Sequence, residues 1–368
     1  HMNRTLLALA VTAALAVPMT AQAAPTVYGL LNLSVDMVDV DNGFTGVDDS
    51  EIQVNSNSSR LGVKGEEDLG NGYSAVYKAE WSVAGDVAGI NDLVGRDRFL
   101  GLKSSWGTVK LGAYDSPFKS SQGMVDQFND MTFTDMQNFM SGENRLDNVI
   151  GYESPKIADV LTVNVALQSG EGTAGGDDDA VSLSVVFESA GLYLAAAIDN
   201  NVSADAFTFN IYDTYLNPGA ATADDLSRDA LRLTAVYTID NLQLGALIQT
   251  SKYSDENRVG TFWGSNSTSL DEQTFLLSAA YTAGKSVLKG QVIMAQLDAD
   301  DKYGAGLMDS YESKQTTIML GVDHNFTSQT KAFAQAAVTK QEFTDVSFPA
   351  GSFDIDASVI SVGMQTKF

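Results

Sequence analysis

From Ile360 to the end of the chain, side chains alternate strictly between two kinds. Ile360, Val362, Met364, Thr366 and Phe368 fall on one parity, and Ser361, Gly363, Gln365 and Lys367 on the other. A period of two marks a strand with one apolar and one polar face. The pattern recurs along the chain. Leu161, Val163, Val165 and Leu167 alternate with Thr162, Asn164, Ala166 and Gln168. Tyr73, Tyr77, Trp81 and Val83 alternate with Ser74, Lys78, Glu80 and Ser82, and Leu231, Leu233 and Tyr237 with Arg232, Thr234 and Thr238. Beyond residue 23 no segment keeps a helical period for more than a few turns, and no apolar run reaches the roughly 20 residues of a spanning helix.

The joints between strands come in two lengths, in alternation. The short ones are 68–72, 105–107, 189–191, 240–241, 283–284 and 327–329. The long ones are acidic and rich in Gly, Ser and Asn: 39–51, 85–95, 116–144, 170–180, 200–228, 255–271, 298–312 and 344–354. One rim of tight turns opposite one rim of loops is expected of a transmembrane barrel, and a soluble sandwich has no reason to alternate so regularly. The segments number about sixteen, enough for a water-filled lumen rather than a packed interior. The expectation is therefore an all-β fold, a transmembrane antiparallel β-barrel with short periplasmic turns and long extracellular loops. Mean hydropathy is near zero, −0.05, as faces of opposite character average out.

The first 23 residues are set apart from this fold. His1 ahead of Met2 reads as a cloning remnant, Arg4 supplies a short basic region, residues 6–17 are apolar, and Ala21-Gln22-Ala23 matches an A-x-A cleavage site. That is the form of a secretory signal peptide. Residues 24–368 are expected to form one barrel. They carry 21 bases against 47 acids, a net of −26, which repels phosphate backbones and excludes nucleic acid as a partner. The chain has no Cys, so thiolate metal sites, disulfides and Cys nucleophiles are excluded.

Because bases are few, their parity is informative. Arg60 and Lys64 lie opposite Leu61 and Val63, Arg96 and Arg98 opposite Phe99, and Arg145 opposite Ile150 and Tyr152. A charge on a lipid-facing strand costs about 2–4 kcal/mol near the midplane, so all five are assigned to the lumen. The joint 116–144 carries Asp126, Asp130, Asp135 and Glu143 among Met124, Phe128, Met131, Phe133, Met136, Phe139 and Met140. So many Met and aromatic residues suit a loop folded back into the lumen. One helical turn there would point Asp126 and Asp130 the same way. Acids facing a basic wall make a transverse field, which sets ion preference. The excess of acids predicts moderate cation selectivity.

Catalytic, cofactor and metal signals are weak. Asp323-His324 with a distant Ser would be a triad fragment, but His324 shares parity with Leu320, Val322 and Phe326 and is placed at the headgroup rim. Asp177-Asp178-Asp179 and the acids from Asp36 to Asp49 read as solvated loops, and Lys340 with Glu342 receives no role. No cofactor and no catalytic residue is assigned. A Ser–His pair at one rim would favour an enzyme.

Four stretches resemble the Gram-negative general porins: APTVYGLLNLS (24–34), SSRLGVKGEEDLGNGYSAVYKAE (58–80), RDRFLGLKSSWGTVKLGAYDSPF (96–118) and RLDNVIGYESP (145–155), together with the terminal Phe368. The resemblance implies a sixteen-stranded trimeric outer-membrane barrel, narrowed by its third extracellular loop, passing small hydrophilic solutes and ions. It places Arg60, Arg96 and Arg145 in the family's arginine wall, the acids Asp126 and Asp130 in the constriction loop, and Phe368 as the signal read by the barrel assembly machinery. Two departures stand out. Leu30 occupies a position often basic in the family, and Thr366 one that is often aromatic. A solute-selective channel, an adhesin and a lipid-modifying barrel enzyme are the competing readings.

Overall fold

The computed structural model describes residues 25–43, 46–87, 93–170, 179–203, 227–254, 260–262, 265–267, 269–300, 310–346 and 351–368. The proposed signal peptide lies outside them. The first half of the chain forms β1 (Thr26–Asn42), β2 (Val47–Ser56), β3 (Arg60–Gly70), β4 (Tyr73–Val83), β5 (Leu93–Ser104), β6 (Gly107–Asp115), β7 (Arg145–Glu153), β8 (Leu161–Gln168) and β9 (Ala180–Ser189). The second forms β10 (Leu192–Ser203), β11 (Ser227–Ile239), β12 (Leu242–Ser254), the small hairpin β13 (Gly260–Phe262) and β14 (Ser265–Ser267), then β15 (Ser269–Ala283) and β16 (Ser286–Asp300). The last are β17 (Ser310–Asn325), β18 (Thr330–Val346) and β19 (Gly351–Lys367).

From β3 onward each strand of the main sheet pairs antiparallel with the next, and β19 returns to β1 from Asn42↔Ile355 to Leu30↔Lys367. β2 and β3 pair with successive halves of β1. They therefore occupy one place in the ring, giving a closed barrel of sixteen positions. Closing the ring is what lets a sheet satisfy its backbone groups within a bilayer.

Burial is inverted relative to a soluble protein. On β11 the apolar Leu231 and Leu233 are 47% and 43% exposed, whereas Arg228 and Arg232 on the other parity are buried. The same holds on β1, where Leu31, Val35 and Met37 face out and Asn32, Ser34 and Asp36 face in. An apolar outside and a polar inside are the pattern of a membrane barrel. One rim is made of tight turns. Asn71-Gly72 (φ 52° and 80°) and Ala190-Gly191 (φ 47° and 80°) have two consecutive positive dihedrals, the twist a two-residue hairpin needs.

Two of the proposed long joints are shorter than read. Strands run to Asn42 and restart at Val47, and run to Val346 and restart at Gly351. Asp39, Asp41, Asp48, Asp49 and Glu51 thus lie on strands rather than in a loop. Acids on both parities hid the period there.

Candidate functional site

The joint between β6 and β7 folds into the barrel, and its two ends are clasped to the opposite wall. Ser116 caps a single helical turn, Pro117–Ser120, by accepting the Lys119 amide. The Phe118 ring then lies between two guanidiniums, 5.0 Å from Arg228 and 4.4 Å from Arg232. Arg232 pairs with Glu143 at 2.8 Å and donates to the Ser141 carbonyl at 3.2 Å and to Gln249 Oε1 at 2.8 Å. Arg228 pairs with Asp199, and Ser141 Oγ donates to Glu272. Start and return of the loop are thereby fixed by β11, β12 and β15.

Its middle is held by apolar contact. Val125, Phe128, Phe133, Met136, Phe139 and Met140 are fully buried against inward-facing Leu247, Leu276, Ile293, Met319 and Val359. Full burial of such side chains contributes roughly 1.5–3 kcal/mol each. The half of the lumen facing these strands is filled, and the opening that remains is eccentric, against β3 to β7.

That opening is a cavity of about 420 Å³ with five bases and six carboxylates on its lining. Arg60, Arg96 and Arg145 all line it. A chain of ion pairs crosses the wall: Arg96–Glu80 at 2.8 Å, Glu80–Lys78 at 3.3 Å, Lys78–Asp97 at 2.8 Å, Asp97–Arg145 at 2.8 Å, Arg145–Asp115 at 2.8 Å and Asp115–Lys119 at 3.6 Å. Arg60 alone reaches across to the loop, meeting Asp130 at 2.8 Å. The arginines are therefore neutralised mainly by acids of their own wall, which sequence reading had not assigned. Lys78 and Glu80 were visible as one polar parity of β4; Asp97 was not.

A β-bulge explains Asp97 and corrects Arg98. Ala79 pairs with Arg98 and Trp81 with Gly95, so Glu80 faces both Arg96 and Asp97. An extra residue on one strand lets two successive side chains share a face. Below the bulge the parity inverts, and Arg98 turns outward with the exposed Leu100 and Leu102. It is not part of the slot. Lys64 faces the lumen away from the slot lining, its ammonium 5.1 Å from the Tyr28 ring.

The loop acids are also not one row. Asp126 is buried and accepts the amides of Phe128 and Met136 and the Gln291 side chain, each at 2.9 Å. It braces the loop against β16, and burial pushes its carboxyl up to about 6. Asp130 sits at φ 67° and points to Arg60 instead. The expected helical turn joining the two is absent; the chain bends between them. Asp135 lines the slot but turns its oxygens to the amides of Asp130 and Gln137. Burial, with Asp126 nearby, holds that carboxyl well above the usual range. Glu143 lines the slot from the clasp.

Outside the slot, Leu30 is buried and sits in register with Arg60. Phe368 exchanges backbone hydrogen bonds with Gly29, and its ring lies over that glycine. His324 does form a rim pair with a serine, Nδ1 to Ser286 Oγ at 3.0 Å, and packs edge-on against Phe326. Its neighbour Asp323 points the other way, to Lys289 and Lys331, so Asp323 does not extend the pair into a Ser–His–acid chain. Lys340 pairs with Glu342 and Asp354. Asp177 and Asp178 lie outside the described residues.

A family model described as Gram-negative porin matches residues 8–344. The major outer membrane protein P.IB of Neisseria gonorrhoeae is 31% identical over 164 residues, 43% of this chain and 46% of that one, so the match spans about half of the relative's length. Outer membrane porin protein 32 of Delftia acidovorans is 26% identical over 358 residues, 93% of this chain and 90% of its own. Among solved structures, the anion-selective porin from Comamonas acidovorans superposes with a TM-score of 0.68 at 20% identity, covering 94% of this chain and 99% of that one. The trimer form of in-vitro folded OmpT of Vibrio cholerae gives 0.65 at 19% identity, covering 94% and 100%. At such identities the superpositions speak for the fold alone.

Proposed function

The chain belongs to the Gram-negative porin family, and from that premise we propose that it is a passive, water-filled channel of the outer membrane, assembled as a homotrimer, for small hydrophilic solutes and ions. The observation that carries this reading is the slot itself. A lumen half-filled by a clasped loop leaves a charged opening, and ten of the eleven charged side chains that line it are held in ion pairs. Solutes are sorted by width and by a field that alternates in sign along the wall.

The slot's formal charges nearly cancel. We read the channel as weakly to moderately cation-selective, the preference coming from Asp130 and from the acidic loops outside. Recording single channels in planar bilayers under a salt gradient tests this. Ohmic current steps with a modest cation reversal potential are expected; an anion reversal potential at moderate salt would overturn the selectivity, and no conductance the channel itself.

A further inference from the structure

The folded-in loop has an underside as well as a slot face. Pro117 and Ser120 of its helical turn help to line a second cavity, of about 310 Å³. That cavity shares only Asp115 with the slot lining. It lies toward the rim of tight turns, since Glu188 and Tyr193 in its wall are register partners flanking the Ala190-Gly191 turn. Its charges are spent within the wall. Lys110 pairs with Glu153 at 3.2 Å and Glu188 with Lys156 at 3.0 Å, while Asp115 is held by Arg145 and Lys119. The groups with bonding capacity to spare are neutral. Thr162 and Asn164 stand two residues apart on the inward parity of β8. Asn164 donates its amide to Ser184 at 3.1 Å, which leaves its carbonyl oxygen as an acceptor. Among the described residues the Thr162 and Ser120 side chains make no hydrogen bond.

Tyr193 adds a fixed aromatic surface. Its hydroxyl donates to the Ser121 carbonyl at 3.0 Å, and an added Cβ on Gly123 would come within 2.7 Å of the ring. Loop and wall therefore hold the ring in place, and Val186 and Pro117 extend the apolar surface beside it. We infer that this cavity is a second solute subsite, taking a neutral, ring-shaped polyol of monosaccharide size. Such a molecule has an apolar ring face to lay on an aromatic side chain and hydroxyls that both donate and accept. An ion would have to break an existing pair to be held there. Small-molecule sites combine apolar walls with a few converging polar groups in roughly 300–1,000 Å³, and this cavity stands at the small end of that range. The inference rests on the channel reading above and names one class of solute that the channel would retain in passage.

Two measurements on the same protein test this: uptake of labelled glucose into proteoliposomes, and ion current in planar bilayers. Glucose flux should saturate with concentration, whereas flux of glycerol, too short to span the aromatic ring and the amide, should stay linear. The double variant Thr162→Val with Asn164→Leu leaves the slot lining untouched, so ion conductance and reversal potential should be unchanged. Its half-saturating glucose concentration should rise about tenfold. If that variant does not assemble, Ser120→Ala on the loop's underside probes the same cavity. Linear glucose flux through a wild-type protein that conducts ions normally would overturn the subsite alone, as would an unchanged half-saturation in the variant. Saturation by choline but not by glucose would overturn the class of ligand. A protein that passes neither ions nor glucose would overturn the channel and the subsite together.

Discussion

Asp130 and Asp126 are four residues apart and do unrelated work, and substitutions should separate them. Asp130→Asn leaves Arg60 without its partner and makes the slot more positive. The cation-to-anion permeability ratio should fall about two- to fivefold, corresponding to about 0.5–1 kcal/mol for a partly exposed charge. Asp126→Ala should leave that ratio nearly unchanged. It strips acceptors from two buried amides, at about 1–3 kcal/mol each, so the loop should loosen, read as added current noise and faster proteolysis within residues 116–144. Acidity should act the other way. The Asp126 carboxyl is raised to about 6 in the folded loop, against about 4 when unfolded. The docked loop then binds the proton better than the undocked one. Its stabilisation is complete below pH of about 4 and is lost as pH rises through about 6. Loop noise should therefore diminish between pH 7 and 5, and noise that grows over that interval would contradict the assignment.

At the scale of elements, the clasp holds the loop and the last strand closes the ring. Arg232→Met removes the ion pair to Glu143 and the donors to Ser141 while keeping contact with Phe118. The loop's return should detach, and conductance should rise with solute cut-off; unchanged conductance would mean that apolar packing alone holds the loop. Deleting Phe368 removes the last rung to Gly29 and uncovers that glycine. Less folded protein should reach the outer membrane, with unaltered conductance in what does assemble. Strand identity was legible because one face of each strand is bilayer-facing, which forces alternation from Leu231 to Ile239. It failed where polar residues occupy both faces, as at Asp39 to Glu51 above the apolar band. Arg60 could be placed by parity, whereas Asp97 and Arg98 could not, and Arg145 lines the slot even though the register shifts between it and Ile150. Parity carries no mark of a bulge, and nothing local announces that one residue has been added. The loop's apolar filling was readable from composition, but its clasp was not. Arg228 and Arg232 are more than eighty residues beyond the loop, and only ring closure brings them to Phe118.

For the whole molecule, closure predicts heat-modifiable migration. The ring is closed by β19 on β1, so unheated protein in detergent should run as a compact oligomer and change mobility only on boiling; a helical circular-dichroism spectrum would end the barrel reading. Charge acts at two ranges. Loop acids outside the slot are screened over about 8–10 Å at physiological ionic strength, so selectivity should weaken between low and high salt to a floor set by Asp130 and Arg60.

The bulge opposite Glu80 has a consequence for how such a chain can vary. A barrel strand behaves like text read in a frame of two, since one residue gained or lost exchanges inside for outside along the rest of it. At Arg96–Asp97 the chain carries such a shift within a strand. A deletion of Asp97 would therefore be readable rather than ruinous. The lower strand would keep its frame, Arg96 would drop into the vacated inward place, and one acid would leave the lining. The barrel should assemble, and the channel should move toward anions. Single-residue length changes beside a loop are then a route by which a pore of this kind alters its preference while its membrane-facing surface stays the same.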